Sequence, residues 1–273
     1  MIDRAAAFHA LHRPGQPLLL PNAWDHASAA ALAAQGYPAI GTTSLGVAAA
    51  AGKPDGTGAT RAENLDLARR LRDLPVLLTV DVEGGFSDDP AAVADYVTEL
   101  AGLGVVGVNL EDGRPDGTLA PPELVVAKIA AVRDAVPGLF VNARTDAWWL
   151  GLPEPLAEAL FRARAYREAG ADGLFVPGAP DDTVALLAAE AGRPLNVLHR
   201  PGGPGLAELG RLGVARVSTG SLLFRAALGA ALEVADTVRA GAAGADRAGA
   251  GPDLPSYGWV QELTGRFGNG RSG

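Results

Sequence analysis

Eight short apolar runs recur along the chain, and most are followed by an Ala-rich stretch with helical spacing of its apolar residues. Within the runs the apolar residues are continuous and do not alternate with polar ones, which is typical of strands buried on both faces in a parallel sheet. The runs cover residues 17–25, 39–44, 76–85, 106–113, 139–146, 173–178, 194–200 and 216–220. Eight strand–helix units in succession predict an α/β fold, a (β/α)8 TIM-type barrel.

The stretches between the runs carry helix-capping signals. We predict helices over residues 61–72, 90–103, 122–136 and 154–169. Thr60, with Glu63 three residues later, predicts a capping box at the first of them, and Gly104 and Gly170 stand where helix C-caps are expected. The first run ends in PNAWD and not in a glycine-rich phosphate turn, which favours a barrel over an open doubly wound sheet.

The last part of the chain has a different composition. Residues 240–251 are low-complexity Ala and Gly, typical of a flexible linker, and residues 256–267 regain aromatic and apolar side chains. An apolar arm behind a linker needs a surface to pack on, either on the same barrel or on a neighbouring subunit. We therefore predict a barrel domain at 1–239, a linker and C-terminal helical arm at 240–273, and a homodimer or homotetramer.

Composition excludes several classes of chemistry. The 273 residues include no cysteine, so disulfides, thiolate zinc sites, iron–sulfur clusters and cysteine nucleophiles are ruled out. A net charge of −8 argues against a nucleic-acid partner, because phosphate binding needs a basic face. No signal-peptide core is present, and no apolar run reaches the roughly 18 residues of a membrane span. We expect a cytoplasmic protein without a membrane partner.

Acidic residues collect at the predicted strand ends, where a barrel builds its active site. Asp81 and Glu83 are two residues apart at one strand end, and Glu111 stands at the end of the next. Three converging carboxylates repel one another unless a cation lies among them, and Mg²⁺, or Mn²⁺, prefers such oxygen ligands. The alternative is that these acids cap helices or pair with arginines.

Arg144, at the end of the fifth run, is a candidate for gripping a substrate carboxylate in bidentate fashion. An internal salt bridge to Asp112 or Asp146 explains its position equally well, and both interpretations can hold together. His199 is interpreted as a solvated loop residue, and the Trp148–Trp149 pair as packing or interface residues.

The motifs PNAWDHASA, AIGTTSLGVA with KPDG, VDVEGG, GVNLEDG and NARTDA occur at consecutive strand ends. Together they resemble the isocitrate lyase/phosphoenolpyruvate mutase superfamily, over residues 8–223. The resemblance implies a (β/α)8 barrel, often oligomeric, with its last helix exchanged between subunits. It also implies Mg²⁺, a small anionic 2-oxo or 2-hydroxy carboxylate as the ligand, and the making or breaking of a C–C or P–C bond next to an enolate.

The resemblance also assigns expected roles to individual residues. It implies that Asp81 contacts Mg²⁺ most directly and that Glu83, Glu111 and Asp55 hold the waters of the metal. Arg144, Asp55 and Glu111 are the expected catalytic residues. The expected substrate-binding residues are Trp24, Asp25, Thr43, Ser44, Leu45, Asp81, Arg144, Asn196 and Ser218.

One segment departs from the pattern of the superfamily. Its lyases carry a K-[KR]-C-G-H loop after the fourth-strand acid, whereas here residues 113–122 are GRPDGTLAPP. We therefore predict a Mg²⁺-dependent lyase that cleaves a C–C bond next to the carbonyl of a small 2-oxo or 2-hydroxy (di)carboxylate, by oxaloacetate-like decarboxylation or retro-aldol cleavage. The alternatives are P–C bond chemistry on a phosphonopyruvate-like substrate, by a mutase or a hydrolase, and a non-catalytic barrel that binds a 2-oxo acid.

Overall fold

Parallel strands form the centre of the computed structural model, which describes residues 3–241 and 254–267. Nine strands pair in the order β1-β9-β8-β7-β6-β5-β4-β3-β2 within these residues. They are β1 (Leu18–Leu20), β2 (Asn22–Ala23), β3 (Ala39–Thr42), β4 (Leu77–Asp81), β5 (Val105–Glu111), β6 (Phe140–Arg144), β7 (Gly173–Phe175), β8 (Leu195–Leu198) and β9 (Arg216–Ser218).

The first two strands are halves of one barrel strand. Pro21 separates them, because it has no N–H to donate to a ladder. β1 pairs with β9, with Leu20 opposite Ser218, and β2 pairs with β3, with Asn22 opposite Gly41. The split strand therefore closes the sheet, and the predicted (β/α)8 TIM-type barrel is confirmed.

Helices alternate with the strands around the barrel. They are α1 (Arg4–Ala10), α2 (His26–Ala34), α3 (Ser44–Ala50), α4 (Arg61–Leu71), α5 (Pro90–Gly102), α6 (Pro122–Ala135), α7 (Pro155–Glu168), α8 (Asp181–Glu190), α9 (Leu206–Arg211), α10 (Leu222–Arg239) and α11 (Tyr257–Phe267). The four helices predicted from the sequence correspond to α4 to α7, and their C-terminal glycines Gly104 and Gly170 adopt the left-handed φ of helix caps, +87° and +103°.

One predicted cap does not form. Thr60 precedes α4, but its hydroxyl donates to Glu83 Oε1 at 2.6 Å and makes no bond to the helix amides. Glu63, the other half of the expected capping box, forms an ion pair with Lys53. A long-range contact from the next strand end thus replaces the local capping pattern.

The arm after the barrel returns to its own chain. Leu263 of α11 is buried, and the His26 imidazole donates to the carbonyl of Phe267 at 3.0 Å across the contact between α11 and α2. Residues 242–253, most of the predicted linker, lie outside the described residues. Of the two surfaces considered for the arm, the structure shows the one on its own barrel, and the domain boundary at 239 stays a prediction.

Over residues 3–241 and 254–267, no helix combines the length and the apolar character that crossing a bilayer requires.

Helix α1 covers the end of the barrel opposite the strand C-termini. The fully buried Phe8 packs edge-on against Phe140, and the His12 ring stacks on Phe140 at 4.1 Å between centroids. His12 Nδ1 donates to the carbonyl of Phe8 at 2.9 Å, whereas its Nε2 is buried without a partner among the described residues. Burial, reinforced by the charge of Arg216, lowers the pKa of His12 from 6.5 to about 3.

His12 predicts a loss of stability in mild acid. The unfolded chain takes up the proton near the ordinary pKa, so the stability present above it is lost progressively as the pH falls through 6.5 toward about 3. Acidification from about pH 7 to about pH 5 should cost about 2 kcal/mol through this residue. Urea unfolding of the wild type and of His12→Phe at both pH values isolates the contribution. An equal loss in the two proteins would contradict the assignment.

Candidate active site

A cavity of about 690 Å³ opens at the C-terminal ends of the strands. Most of the residues predicted for the site line it, and they come from the ends of β3, β4, β5, β6 and β9 and from the loop after α3. They are Thr43, Ser44, Leu45, Asp55, Asp81, Glu111, Arg144 and Ser218. The strand-end rule for barrels therefore located the cavity correctly.

Asp81 ends β4 and is a buried acid of the cavity that forms no ion pair among the described residues. Its amide donates to the Thr42 hydroxyl at 2.9 Å, and within residues 3–241 and 254–267 its Oδ1 accepts only the Glu83 amide, at 3.3 Å. Burial raises the pKa of Asp81 to about 6. The charge of Arg144 and the bond from the Glu83 amide lower this pKa, and the negative charges of Asp55 and Glu83 raise it.

Arg144 is the cation of the cavity that holds two acids. Its Nη1 lies 2.7 Å from Glu111 Oε2, and its Nε and Nη2 reach the two oxygens of Asp146 at 2.7 and 3.1 Å. Burial lowers the pKa of Arg144, but Glu111, Asp146 and Asp81 more than offset this, so the pKa is raised and the guanidinium stays charged. Burial raises the pKa of Glu111 well above its ordinary value, and Arg144 opposes that shift. Arg144 is thus internally paired and also lines the cavity.

The predicted carboxylate-binding turn opens helix α3. Ser44 and Leu45 are its first residues and line the cavity, and first-turn amides have no acceptor within a helix. A Cβ on Gly46 would lie 2.8 Å from atoms of both Thr43 and Trp24, so glycine is required for this close approach. Trp24 therefore packs behind the turn and does not line the cavity.

Three other predicted residues also lie outside the cavity lining. Asp25 is exposed and caps α2, its Oδ1 accepting from the Ser28 amide at 2.7 Å. Asn196 lies behind Ser218, whose hydroxyl donates to Asn196 Oδ1 at 3.0 Å. Glu83 adopts a left-handed φ of +49°, which turns its side chain toward the loop after α3.

Glu83 holds that loop in place. Its Oε2 accepts the Gly58 amide at 2.8 Å, and its Oε1 accepts the Thr60 hydroxyl. Asp55 lies in the same loop and reaches the cavity. Glu83 thus positions the segment that carries Asp55, and both of its oxygens are already occupied by these donors.

The donor set fits Mg²⁺ held through few direct ligands. No group of three or more His, Cys, Asp or Glu in the described parts of the chain is arranged to hold a metal by itself. Mg²⁺ often binds through one or two carboxylates and keeps several waters. The buried Asp81 carboxylate forms no ion pair within the described residues. Asp55 and Glu111 line the same cavity. Asp81 could therefore contact the ion, with Asp55 and Glu111 near its waters.

A buried network behind the cavity fixes Asp146. Asp112 Oδ1 accepts the Asp146 amide at 2.8 Å, and Oδ2 accepts the Tyr166 hydroxyl at 2.8 Å and Arg162 Nη1 at 3.2 Å. Sequence analysis missed Arg162 and Tyr166, which lie four residues apart on α7. The four-residue spacing, which places both side chains on one helix face, was the signal in the sequence that could have identified them as partners of Asp112.

The segment that replaces the superfamily's cysteine loop is a short hairpin. Gly113 and Leu119 form an antiparallel bridge, and Arg114 pairs with Asp88 at 3.2 Å. The carboxylate within it, Asp116, accepts from the hydroxyl and amide of Thr118, and these hydrogen bonds lower its pKa. The carboxyl group of Asp116 is therefore a poor proton donor.

Several further residues line the cavity without having been predicted as site residues. His199, interpreted as a solvated loop residue, and Trp149, interpreted as a packing or interface residue, both line the cavity, and Trp149 is 60% exposed. The others include Asn22, Asn109, Arg114, Phe175, Arg200 and Arg225.

Comparison with known proteins identifies the family. A family model described as phosphoenolpyruvate phosphomutase matches residues 8–239. An uncharacterized protein of Mycobacterium tuberculosis is 47% identical over 236 residues, covering 86% of this chain and 90% of that protein. The 2-methylisocitrate lyase of Salmonella typhimurium is 35% identical over 187 residues, 60% of this chain and 62% of the enzyme.

Solved structures share the whole fold. A phosphonopyruvate hydrolase in complex with oxalate and Mg²⁺ superposes with a TM-score of 0.83 at 26% identity, covering 97% of this chain and 96% of that one. Together with the barrel and its acidic cavity, these matches show that the chain belongs to the phosphoenolpyruvate phosphomutase family, within the phosphoenolpyruvate mutase/isocitrate lyase superfamily.

Proposed function

We propose that the protein is a Mg²⁺-dependent lyase that cleaves a C–C bond next to the carbonyl of a small 2-oxo or 2-hydroxy (di)carboxylate. The observation that carries the proposal is that one cavity is lined by both a buried acid and a buried cation. Asp81 is a buried acid that forms no ion pair among the described residues, and Arg144 is a buried cation that lines the same cavity. A divalent cation and an anionic substrate complement these two groups.

Different residues of the cavity would bind different groups of the substrate. The first-turn amides of Ser44 and Leu45 and the Ser44 hydroxyl would donate hydrogen bonds to one substrate carboxylate. Arg144 would stabilise the negative charge that develops when the bond beside the carbonyl breaks. Arg144 suits this role because Glu111 and Asp146 already fix its orientation. When bound at Asp81, Mg²⁺ would supply Lewis-acid stabilisation of substrate oxygens.

The hairpin at residues 113–119 favours decarboxylation among the candidate reactions. The Asp116 carboxylate accepts two hydrogen bonds from Thr118, which lower its pKa and make it a poor general acid where the lyases of the superfamily carry their cysteine loop. Release of CO₂ from an oxaloacetate-like substrate requires no such group to protonate the leaving fragment. Retro-aldol cleavage and P–C chemistry remain outcomes of the test.

The test is a product assay with Mg²⁺ and four substrates: oxaloacetate, 2-methylisocitrate, 2,3-dimethylmalate and phosphonopyruvate. We expect pyruvate from oxaloacetate or a hydroxy acid, with no phosphate released from phosphonopyruvate. Asp81→Asn should abolish both turnover and Mn²⁺ binding, whereas Asp66→Asn, an exposed acid paired with Arg70, should change neither. Release of phosphate from phosphonopyruvate, or its isomerisation to phosphoenolpyruvate, would establish P–C chemistry instead. Binding without turnover of any substrate would establish a non-catalytic barrel.

Arg144→Lys tests the anion clamp. Lysine keeps the charge but loses the planar fork that reaches two oxygens at once. A charge-assisted hydrogen bond contributes about 1.5–3 kcal/mol, so the affinity for 2-oxo acids should fall about ten- to a hundredfold. Titration of oxaloacetate, pyruvate and 2-oxoglutarate with Mg²⁺ present measures this loss, and Arg69→Lys on the exposed face is the matched control. Equal affinities would leave Arg144 as an internal salt-bridge residue only.

We further propose that a second copy of the chain covers helix α10. Of its 18 residues only Phe224 is buried, and Leu228 and Leu232, one turn apart, are 50% and 67% exposed against the described residues. A helix this apolar needs a partner surface to be stable in water. The superfamily resemblance, which implies an often oligomeric barrel, points to the same partner.

Light scattering tests this assembly. We expect a dimer or tetramer at micromolar concentration, and Leu232→Glu should shift it toward the monomer because a charge would replace a buried apolar contact. Leu186→Glu on α8, also an exposed leucine, should leave the assembly intact. A monomeric wild type would refute the proposal.

A further inference from the structure

A layer of polar side chains lies inside the barrel beneath the cavity. Arg216 on β9 is fully buried, and its Nε donates to the Ser218 hydroxyl and its Nη2 to Asn109 Oδ1, both at 3.1 Å. Asn142 Nδ2 donates to the same Asn109 oxygen at 2.8 Å. Arg216 does not line the cavity, whereas Asn109 and Ser218 do. The layer therefore holds the two floor residues from behind.

These donors fix the orientation of the Asn109 amide. A guanidinium can only donate hydrogen bonds, so the group that faces Arg216 must be the carbonyl oxygen of Asn109. Two donors, Arg216 Nη2 and Asn142 Nδ2, bind this oxygen. If the Asn109 amide were flipped, its NH₂ group would face these two buried donors and no hydrogen bond could form. Asn109 Nδ2 consequently lies on the opposite side, and it donates to no atom of the described residues.

Ser218, unlike Asn109, has both its donor and an acceptor position occupied by other side chains. Its oxygen accepts from Arg216 Nε, and its only proton goes to Asn196 Oδ1 at 3.0 Å. Ser218 therefore has no proton left to give to a ligand, although it lines the cavity. Asn109 is the floor residue of this layer that keeps a free donor, and it stands opposite Asp81 in the β4–β5 register.

We propose that Asn109 Nδ2 donates a hydrogen bond to an oxygen of the anionic substrate, and that Arg216 is the positioning residue that holds the amide in this orientation. The inference rests on the proposed function, since it needs a carboxylate or keto oxygen above the floor. It adds a neutral donor between the acid at Asp81 and the clamp at Arg144. Such a fixed donor favours substrates with an oxygen at this point and disfavours analogues that lack one.

The experiment measures oxalate affinity by calorimetry at saturating Mg²⁺. In Asn109→Asp, one oxygen keeps the bonds from Arg216 and Asn142 and the other presents an acceptor where the donor was. Oxalate affinity should fall about ten- to a hundredfold. Asn196→Asp is the matched control: it adds the same charge beside Arg216, its neighbour in the β8–β9 register, on a side chain outside the cavity lining. Its oxalate affinity should stay within about threefold of the wild type.

A second variant and a spectroscopic readout guard against misfolding. Asn109→Ser removes the amide donor without adding a charge, so it should weaken oxalate binding about tenfold, and its circular dichroism spectrum should show that the fold is kept. In the wild type, the ¹⁵N resonance of the Asn109 side chain, identified by its loss in either variant, should shift when oxalate is added. Affinities equal to the wild type in both Asn109 variants would overturn the inference and leave the proposed function standing. A wild type that binds neither oxalate nor a 2-oxo acid would overturn both.

Discussion

Removing carboxylates from water costs free energy, and the way this cost is offset organises the C-terminal end of the barrel. Glu111 and Asp146 are buried beside Arg144, with two contacts of 2.7 Å. Asp81 has no such ion pair among the described residues, and its pKa is raised to about 6, mainly by burial. The cavity therefore contains a buried acid without an ion pair among the described residues, and this is the position where we place the proposed cation.

The strands of the barrel correspond to the apolar runs of the sequence. Each run became a strand because continuous Val, Leu and Ile suit a strand with helices on one side and the barrel interior on the other. The split at Pro21 was not predicted, although the missing N–H of proline was visible in the sequence. The capping box at Thr60 failed for another reason: its hydroxyl bonds Glu83, 23 residues away, and a local pattern carries no information about that partner.

The candidate site was predictable where a strand end alone determines direction. Asp81, Glu111 and Arg144 end their strands and line the cavity, as the strand-end rule requires. Glu83 follows the end of β4 by two residues, so strand alternation predicts that its side chain faces the cavity. Its left-handed φ turns the side chain away from the cavity, and the sequence pattern does not predict that φ. Asn109 was overlooked because an amide inside a strand looks like a packing residue until its hydrogen-bond partners are known.

The charges of the cavity are graded by depth. Asp81 and Glu111 are nearly buried, whereas Arg200 and Arg225 are exposed at the rim. An anion entering this cavity meets cations first and then a buried, negatively charged region that would repel it. A divalent cation at the deep end reverses that repulsion, so metal and anion should each strengthen the binding of the other, as linkage requires. The fixed donor at Asn109 adds attraction for oxygen at the same depth without adding charge, which allows the floor to hold both a cation and an anionic ligand.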